Sequence, residues 1–247
     1  MFDAVVSGKA RMDVIIYGAG KQPREDLVTS TLFGSMRFLS SESRRLAIEK
    51  LTGKKPEGEV DIYLWPYLRR VGENAEPDVV LRIKDGERFE YWIVEVKWGA
   101  GLGKDQVGRE IRTVCDGECR RGGLPGGPRS VSGYTLIGAL ERHAAELERA
   151  RREFDRSLTI SDFHWTAITE RLRTLARGAA HDPGLVAWAT LAATFLGGQP
   201  EGMVLSEWPD LTMPDACDFS FDSDERFALL QRIAPVAECQ FNFSEAP

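Results

Sequence analysis

Residues 77–97 read PDVVLRIKDGERFEYWIVEVK, and two apolar-polar alternating runs meet there at Asp85-Gly86. Asp-Gly between alternating runs is the strongest short-range signal for a β-hairpin. With Asp85 and Gly86 as the central pair, Lys84 faces Glu87 and Asp78 faces Ile93. Cross-strand partners share a face, as do alternate residues along a strand. One face then ends in Asp78, Glu95 and Lys97, while the other, with Val79, Leu81, Ile83, Trp92, Val94 and Val96, is a core face. In this register Asp78 and Glu95 are diagonal neighbours, about 7–8 Å apart by Cβ. The flanking Ile93, Val94, Val96 and Trp98 mark the second strand as central and buried, where charges need partners or a metal.

Those residue types suit phosphodiester cleavage. The reaction must neutralise charge on a pentavalent phosphate and activate a water, and a hard cation between carboxylate oxygens does both. Asp78 and Glu95 are the candidate ligands, with the main-chain carbonyl of Val96 as a further oxygen. Lys97, two residues from Glu95 on the same face, is placed to position or deprotonate the water, or to stabilise developing charge.

Pro77-Asp78, sixteen residues, then Glu95-Val96-Lys97 resembles the signature of the PD-(D/E)XK nuclease superfamily. The resemblance implies an α/β fold, restriction-endonuclease-like, with a mixed central sheet flanked by helices. It implies Mg2+ or Mn2+ bound by the Asp and Glu, and a Lys that assists the nucleophile. In that family an acidic residue often comes from the first helix; Glu25 fits that role best, with Asp26 as its competitor. Many members also carry a glutamine on the helix after the lysine, which Gln106 matches. DNA is the implied substrate ahead of RNA, with dimers or larger complexes as working forms. The segment 24–27, with Leu32-Phe33-Gly34, also resembles small bacterial nucleases linked to phage defence. The similarity covers about residues 23–140 of a single domain spanning 1–247, which leaves 141–247 as a helical and loop-rich elaboration. Two rivals remain: a catalytically silent nuclease-fold subunit in a larger assembly, and a metal-free interaction protein whose Asp, Glu and Lys are surface residues.

Outward from the hairpin, residues 24–51 have helical spacing with a break near Ser40-Ser41 and a stop at Gly53. Residues 60–65 alternate as a strand, and Pro66 suits an edge or a strand end. Gly72-Glu73-Asn74 reads as a turn. After the hairpin come a flexible loop at 99–103, a helix at 104–114, a mobile Gly/Pro/Arg-rich loop at 115–133 and a buried strand at 134–140. Helices follow at 141–154, at 165–177 with Ser161 or Asp162 as candidate cap, and from Pro183 to before Gly197. Short elements are also expected at Val14–Tyr17 and at 224–233. Arg109, Arg112, Arg120, Arg121 and Arg129 form a candidate phosphate-contacting patch.

The whole chain bounds these readings. A length of 247 residues supports a real core, and 43% hydrophobic with 28% charged residues is a globular balance. A net charge of −6 argues against coating nucleic acid by bulk electrostatics, though not against a local basic groove. No apolar run reaches the ~18 residues of a membrane helix, and residues 1–4 lack a signal-peptide pattern, so a cytoplasmic protein with no membrane partner is expected. Cys115, Cys119, Cys217 and Cys239 do not have zinc-site spacing, and reduced thiols are expected. The histidines are expected at the surface or as caps, since no nucleophile lies near His164.

Overall fold

The computed structural model describes residues 25–154, 158–179 and 182–197. The expected elements at 14–17 and 224–233, with Cys217 and Cys239, lie outside the described residues. Helix α1 (Glu25–Thr29) runs on through a π turn (Ser30–Gly34) and a 3-10 turn (Ser35–Phe38). The break then falls where the sequence suggests, and Ser40 caps α2 (Ser41–Thr52) by accepting from Ser43 N–H at 3.1 Å. Gly53, at φ +75°, ends it.

Strand β1 (Val60–Leu64) precedes a small hairpin, β2 (Tyr67–Arg70) and β3 (Glu73–Ala75), where a turn alone was expected. The main hairpin is β4 (Val79–Asp85) and β5 (Arg88–Val96). Helix α3 (Gln106–Asp116), β6 (Glu118–Arg121) and β7 (Ser130–Ile137) follow. A 3-10 turn (Glu141–His143) leads into α4 (Ala144–Phe154), then β8 (Thr159–Phe163), α5 (Trp165–Gly178) and α6 (Pro183–Gly197). The cap of α5 is His164 rather than Ser161 or Asp162, because those two belong to β8.

The protein is α/β, with a mixed five-stranded sheet in the order β1-β4-β5-β7-β8. The first three strands are antiparallel and the last three parallel. Strand β1 lies at the edge, consistent with Pro66 just beyond it. The parallel steps cross over through α3 and α4, as parallel strands require. Both crossover helices cover one sheet face, packing Val107, Ile111, Leu147 and Ala150 on Val80, Ile93 and Leu136. Helices α1, α2, α5 and α6 cover the other, packing Val28, Ile48, Ile168 and Ala189 on Leu81, Val94 and Val96. Strand β5 is therefore buried on both faces, which explains its nearly continuous apolar run. Strands β3, β2 and β6 form a separate three-stranded sheet, so the expected mobile loop at 115–133 is partly strand. Among the described residues no helix is long and apolar enough to cross a membrane.

The hairpin register corrects the sequence reading. Asp85 pairs with Arg88, so Gly86 and Glu87 are the central residues. Gly86 takes φ +58° at the first central position, as a type II′ hairpin turn requires of its glycine. The pairing shifts by two residues, an even number, so every side chain keeps its expected face. Val79 pairs with Val94, and continuing the ladder by one sets Asp78 directly opposite Glu95 rather than diagonal to it.

Candidate active site

The site lies at the end of the sheet where β4 begins and β5 finishes. Lys97 N–H donates to the Ile137 carbonyl at 2.8 Å, on the β7 side. Strand alternation turns the Val96 peptide groups the opposite way. Val96 N–H accordingly donates to Asp78 Oδ2 at 2.9 Å, and its carbonyl points to the same side as that carboxylate. Lys97 Nζ lies 2.7 Å from Glu95 Oε1 and 3.6 Å from Glu25 Oε2. The other Glu25 oxygen accepts from Trp98 N–H at 2.8 Å. These contacts bring Glu25, from the first turn of α1, to the end of β5.

Gln106 opens α3 and completes the ring. Its Nε2 donates to Glu95 Oε1 at 2.6 Å and to Glu110 Oε1 at 2.8 Å, and its Oε1 accepts from Gly103 N–H at 2.9 Å. The loop between Lys97 and Gln106 is fastened at several points. Arg142 donates to the Gly99 carbonyl, and His143 Nε2 lies 3.0 Å from the Ala100 carbonyl. His143 Nδ1 accepts from Leu140 N–H at 3.0 Å, so the neutral tautomer protonated on Nε2 satisfies both contacts. Burial pushes the His143 pKa down, and the neighbouring Arg142 adds to the fall against the Ala100 bond. His143 thus caps, as expected, but from a buried position.

Charge is unbalanced here. Four carboxylates, Glu25, Asp78, Glu95 and Glu110, meet one ammonium, Lys97. Glu95 is 3% exposed, Glu110 3% and Lys97 8%, whereas Asp78 keeps part of its surface open. Burial and the Glu95 charge push Asp78 well above the usual carboxylate range, opposed by the Val96 N–H. Burial and Glu95 likewise raise Glu110, opposed by its bonds from Gln106 and Tyr134. Burial alone would lower the Lys97 pKa, but Glu95, Glu25 and Asp78 outweigh it and raise it. Lys97 is therefore an ammonium in the metal-free protein.

Among the described residues no three His, Cys, Asp or Glu side chains are grouped as a preformed metal cage. Glu95 Oε1 already receives Lys97 and Gln106. The donor set nonetheless fits a hard cation: Asp78, Glu95 and the Val96 carbonyl are oxygens, the local charge is negative, and neither thiolate nor imidazole joins them.

The arginines part company with the sequence reading. Arg129 is 5% exposed and donates to the carbonyls of Val114, Gly117 and Pro125, so it pins the loop before β7 rather than meeting solvent. Arg112 bonds Glu73, Asp105 and Glu153, and the bond to Glu73 leads the causes that raise its pKa. Arg121 pairs with Glu76 and Arg120 with Glu118 on exposed β6. Arg109 reaches the Lys104 carbonyl at 3.4 Å, a weak contact. Arg129 is thus removed from the candidate contact surface, while Arg112, Arg120 and Arg121 are each paired with carboxylates.

Sequence reasoning missed Glu110 and Tyr134. A signal for Glu110 was present: Val107, Ile111 and Val114 are the apolar stripe of α3, and Glu110 stands on it. Comparison with models of known families, with curated proteins and with solved structures finds no match for this chain.

Proposed function

We propose that the chain is a metal-dependent nuclease of the PD-(D/E)XK type, with a restriction-endonuclease-like core that hydrolyses phosphodiester bonds of DNA. The observation that carries this reading is the convergence of Asp78, Glu95 and Lys97 at the ends of adjacent strands, with Glu25 and Gln106 bonded to the same group. Asp78, Glu95 and the Val96 carbonyl would hold Mg2+ or Mn2+, with Glu25 contributing directly or through water. A bound divalent cation supplies Lewis-acid stabilisation and a water of lowered pKa. Lys97 would position or deprotonate the attacking water, or stabilise charge on the phosphate. Gln106 fixes the Glu95 carboxylate. With a net charge of −6 and Arg112, Arg120 and Arg121 paired with carboxylates, a second copy or a partner protein supplies much of the DNA affinity.

A second reading has its own observation. Both donors on Glu95 and the peptide donor on Asp78 come from the chain itself. Such internal satisfaction also suits a silent subunit that keeps the fold and has lost the metal. One experiment separates the two: labelled single- and double-stranded DNA and RNA with Mg2+, Mn2+ or EDTA, for the wild type and Lys97→Ala. Metal-dependent cleavage that the variant loses supports the nuclease. A folded wild type that cuts nothing transfers the reading to the subunit.

A further inference from the structure

The polar chain at the end of the sheet continues past Gln106 into the core between α3 and β7. Glu110 Oε1 accepts from Gln106 Nε2 at 2.8 Å, and Glu110 Oε2 accepts from the Tyr134 hydroxyl at 3.0 Å. Tyr134 is fully buried, and burial followed by the Glu110 charge pushes its phenol well above the usual range, so it stays a donor. Each Glu110 oxygen thus has a protein donor, and this carboxylate is directed at the chain rather than at substrate. We propose that Glu110, held by Tyr134, is a positioning residue that selects which end of the Gln106 amide faces Glu95.

A glutamine amide has two nearly isosteric orientations, and its neighbours choose between them. As observed, the NH2 group points at two carboxylates and the carbonyl at Gly103 N–H. Rotated by half a turn, the carbonyl would face two anions and the NH2 group would face a donor. Without Glu110, Glu95 alone would hold the NH2 group, and Gln106 could swing away with the glycine-rich loop. The consequence reaches Glu95. Gln106 and Lys97 both act on its Oε1, and among the described residues no hydrogen bond or ion pair is made by its Oε2. Glu110 thereby determines, through Gln106, which Glu95 oxygen is neutralised inside the protein and which is presented outward. The cleavage consequence rests on the nuclease reading; the positioning does not.

The test reads the Gln106 side-chain NH2 by 1H–15N NMR in the full chain without metal. The wild type should show two inequivalent protons protected from solvent exchange. Glu110→Asp, one methylene shorter, cannot span Gln106 and Tyr134, and exchange should quicken at least about tenfold. Glu110→Gln can accept from Gln106 and donate to a rotated Tyr134 hydroxyl, so it should keep the protected signal. Unchanged exchange in Glu110→Asp, or an unprotected signal in Glu110→Gln, overturns the proposal. If Glu110→Asp does not fold, Tyr134→Phe replaces it: Glu110 is then free to turn, exchange should rise, and no change overturns the proposal. In a cleaving protein, Glu110→Asp and Gln106→Ala should each lower kcat roughly 10–100-fold at an unchanged KM for DNA. The double variant should be no worse than the weaker single, and losses that multiply overturn the proposal. A wild type that cuts nothing removes the nuclease reading alone, because the NMR result stands by itself.

Discussion

The indole Nε1 of Trp165 donates to the main-chain carbonyl of Lys97 at 2.9 Å, so the first residue of α5 grips the peptide that carries the ammonium. Trp98 packs on the same indole, with ring centroids 4.7 Å apart and planes tilted by 54°. Together with the Ile137 carbonyl on Lys97 N–H, this fixes the two peptide groups on either side of the Lys97 Cα. The end of β5 is therefore held in part by Trp165, which lies past the stretch of about 23–140 that resembles a nuclease.

Gly138 makes that grip possible. Its φ of +83° disfavours any side chain, and a Cβ there would overlap the Lys97 carbonyl oxygen and the Trp165 indole nitrogen. Gly138→Ala should lower stability by about 2–4 kcal/mol, from overpacking plus backbone strain. Urea unfolding should show a reduced midpoint at an unchanged m-value. A midpoint equal to the wild type would mean that the Lys97 peptide moves freely.

Lys97 should oppose the metal as well as serve the reaction. Its ammonium sits 2.7 Å from Glu95 Oε1, an oxygen that a cation would also seek. Lys97→Ala should therefore abolish cleavage by at least about 100-fold. It should also tighten Mn2+ binding about tenfold, or 1.4 kcal/mol. Calorimetric titration of both proteins with Mn2+ checks this, and weaker binding in the variant would show that Lys97 helps to build the cation site.

Much of this centre was legible because hairpin faces depend only on parity. The two-residue register error left Asp78, Glu95 and Lys97 together, whereas an odd error would have scattered them. Gly53, the break before Ser41 and the helix from Pro183 were legible from caps and breakers, whereas the helix from Trp165 was placed with the wrong cap. Strand β8 was not, because it is the edge strand of the main sheet beside β7 and TISDF carries too few buried positions to alternate clearly. Strands β2 and β6 pair across about fifty residues of sequence, and no local pattern announces such a contact. Arg129 was misread because a guanidinium that bonds carbonyls looks, in sequence, like one that awaits phosphate.

Arg129→Ala should accordingly destabilise the fold. It would leave the carbonyls of Val114, Gly117 and Pro125 without this donor and free the loop before β7. A loss of about 2–3 kcal/mol is expected, since a guanidinium's bonds to buried neutral carbonyls are lost and no charge is left unpaired. Arg109→Ala should leave the melting temperature within about 1 °C, since surface changes are usually small. If Arg109 meets a phosphate, that variant should reduce the salt slope of DNA binding by about one. Equal melting temperatures for wild type and Arg129→Ala would return Arg129 to the candidate contact surface.

Asp78 should make the metal-free protein less stable as pH rises. Its folded pKa lies above the unfolded value of about 3.9. The protonated form is then favoured by folding, so the stabilisation is complete below about pH 3.9 and is lost as pH rises through the folded pKa. Asp78→Asn removes that loss and should raise the melting temperature in EDTA at pH 7 by a few degrees, at about 2–4 °C per kcal/mol. Saturating Mn2+ should reverse the order, because the cation stabilises only the protein that binds it. A variant that melts lower than the wild type in EDTA would mean that the Asp78 bond to Val96 N–H outweighs charge repulsion.

His143 runs in the opposite direction. Its folded pKa lies below the unfolded value of about 6.5, so its stabilisation is complete above that value and is lost as pH falls through the folded pKa. The cause is burial, with Arg142 adding to it, and a proton on Nδ1 would also confront Leu140 N–H. Asp78 and Glu110 gain stability over part of the same acid range, so the wild-type curve alone mixes two signs. His143→Asn keeps an acceptor for Leu140 N–H and removes the titration. Its stability should therefore fall less than that of the wild type between pH 6.5 and 5, measured by urea unfolding at each pH. Parallel curves would show that the ring can protonate in place, with the loop between Lys97 and Gln106 still fastened at Ala100.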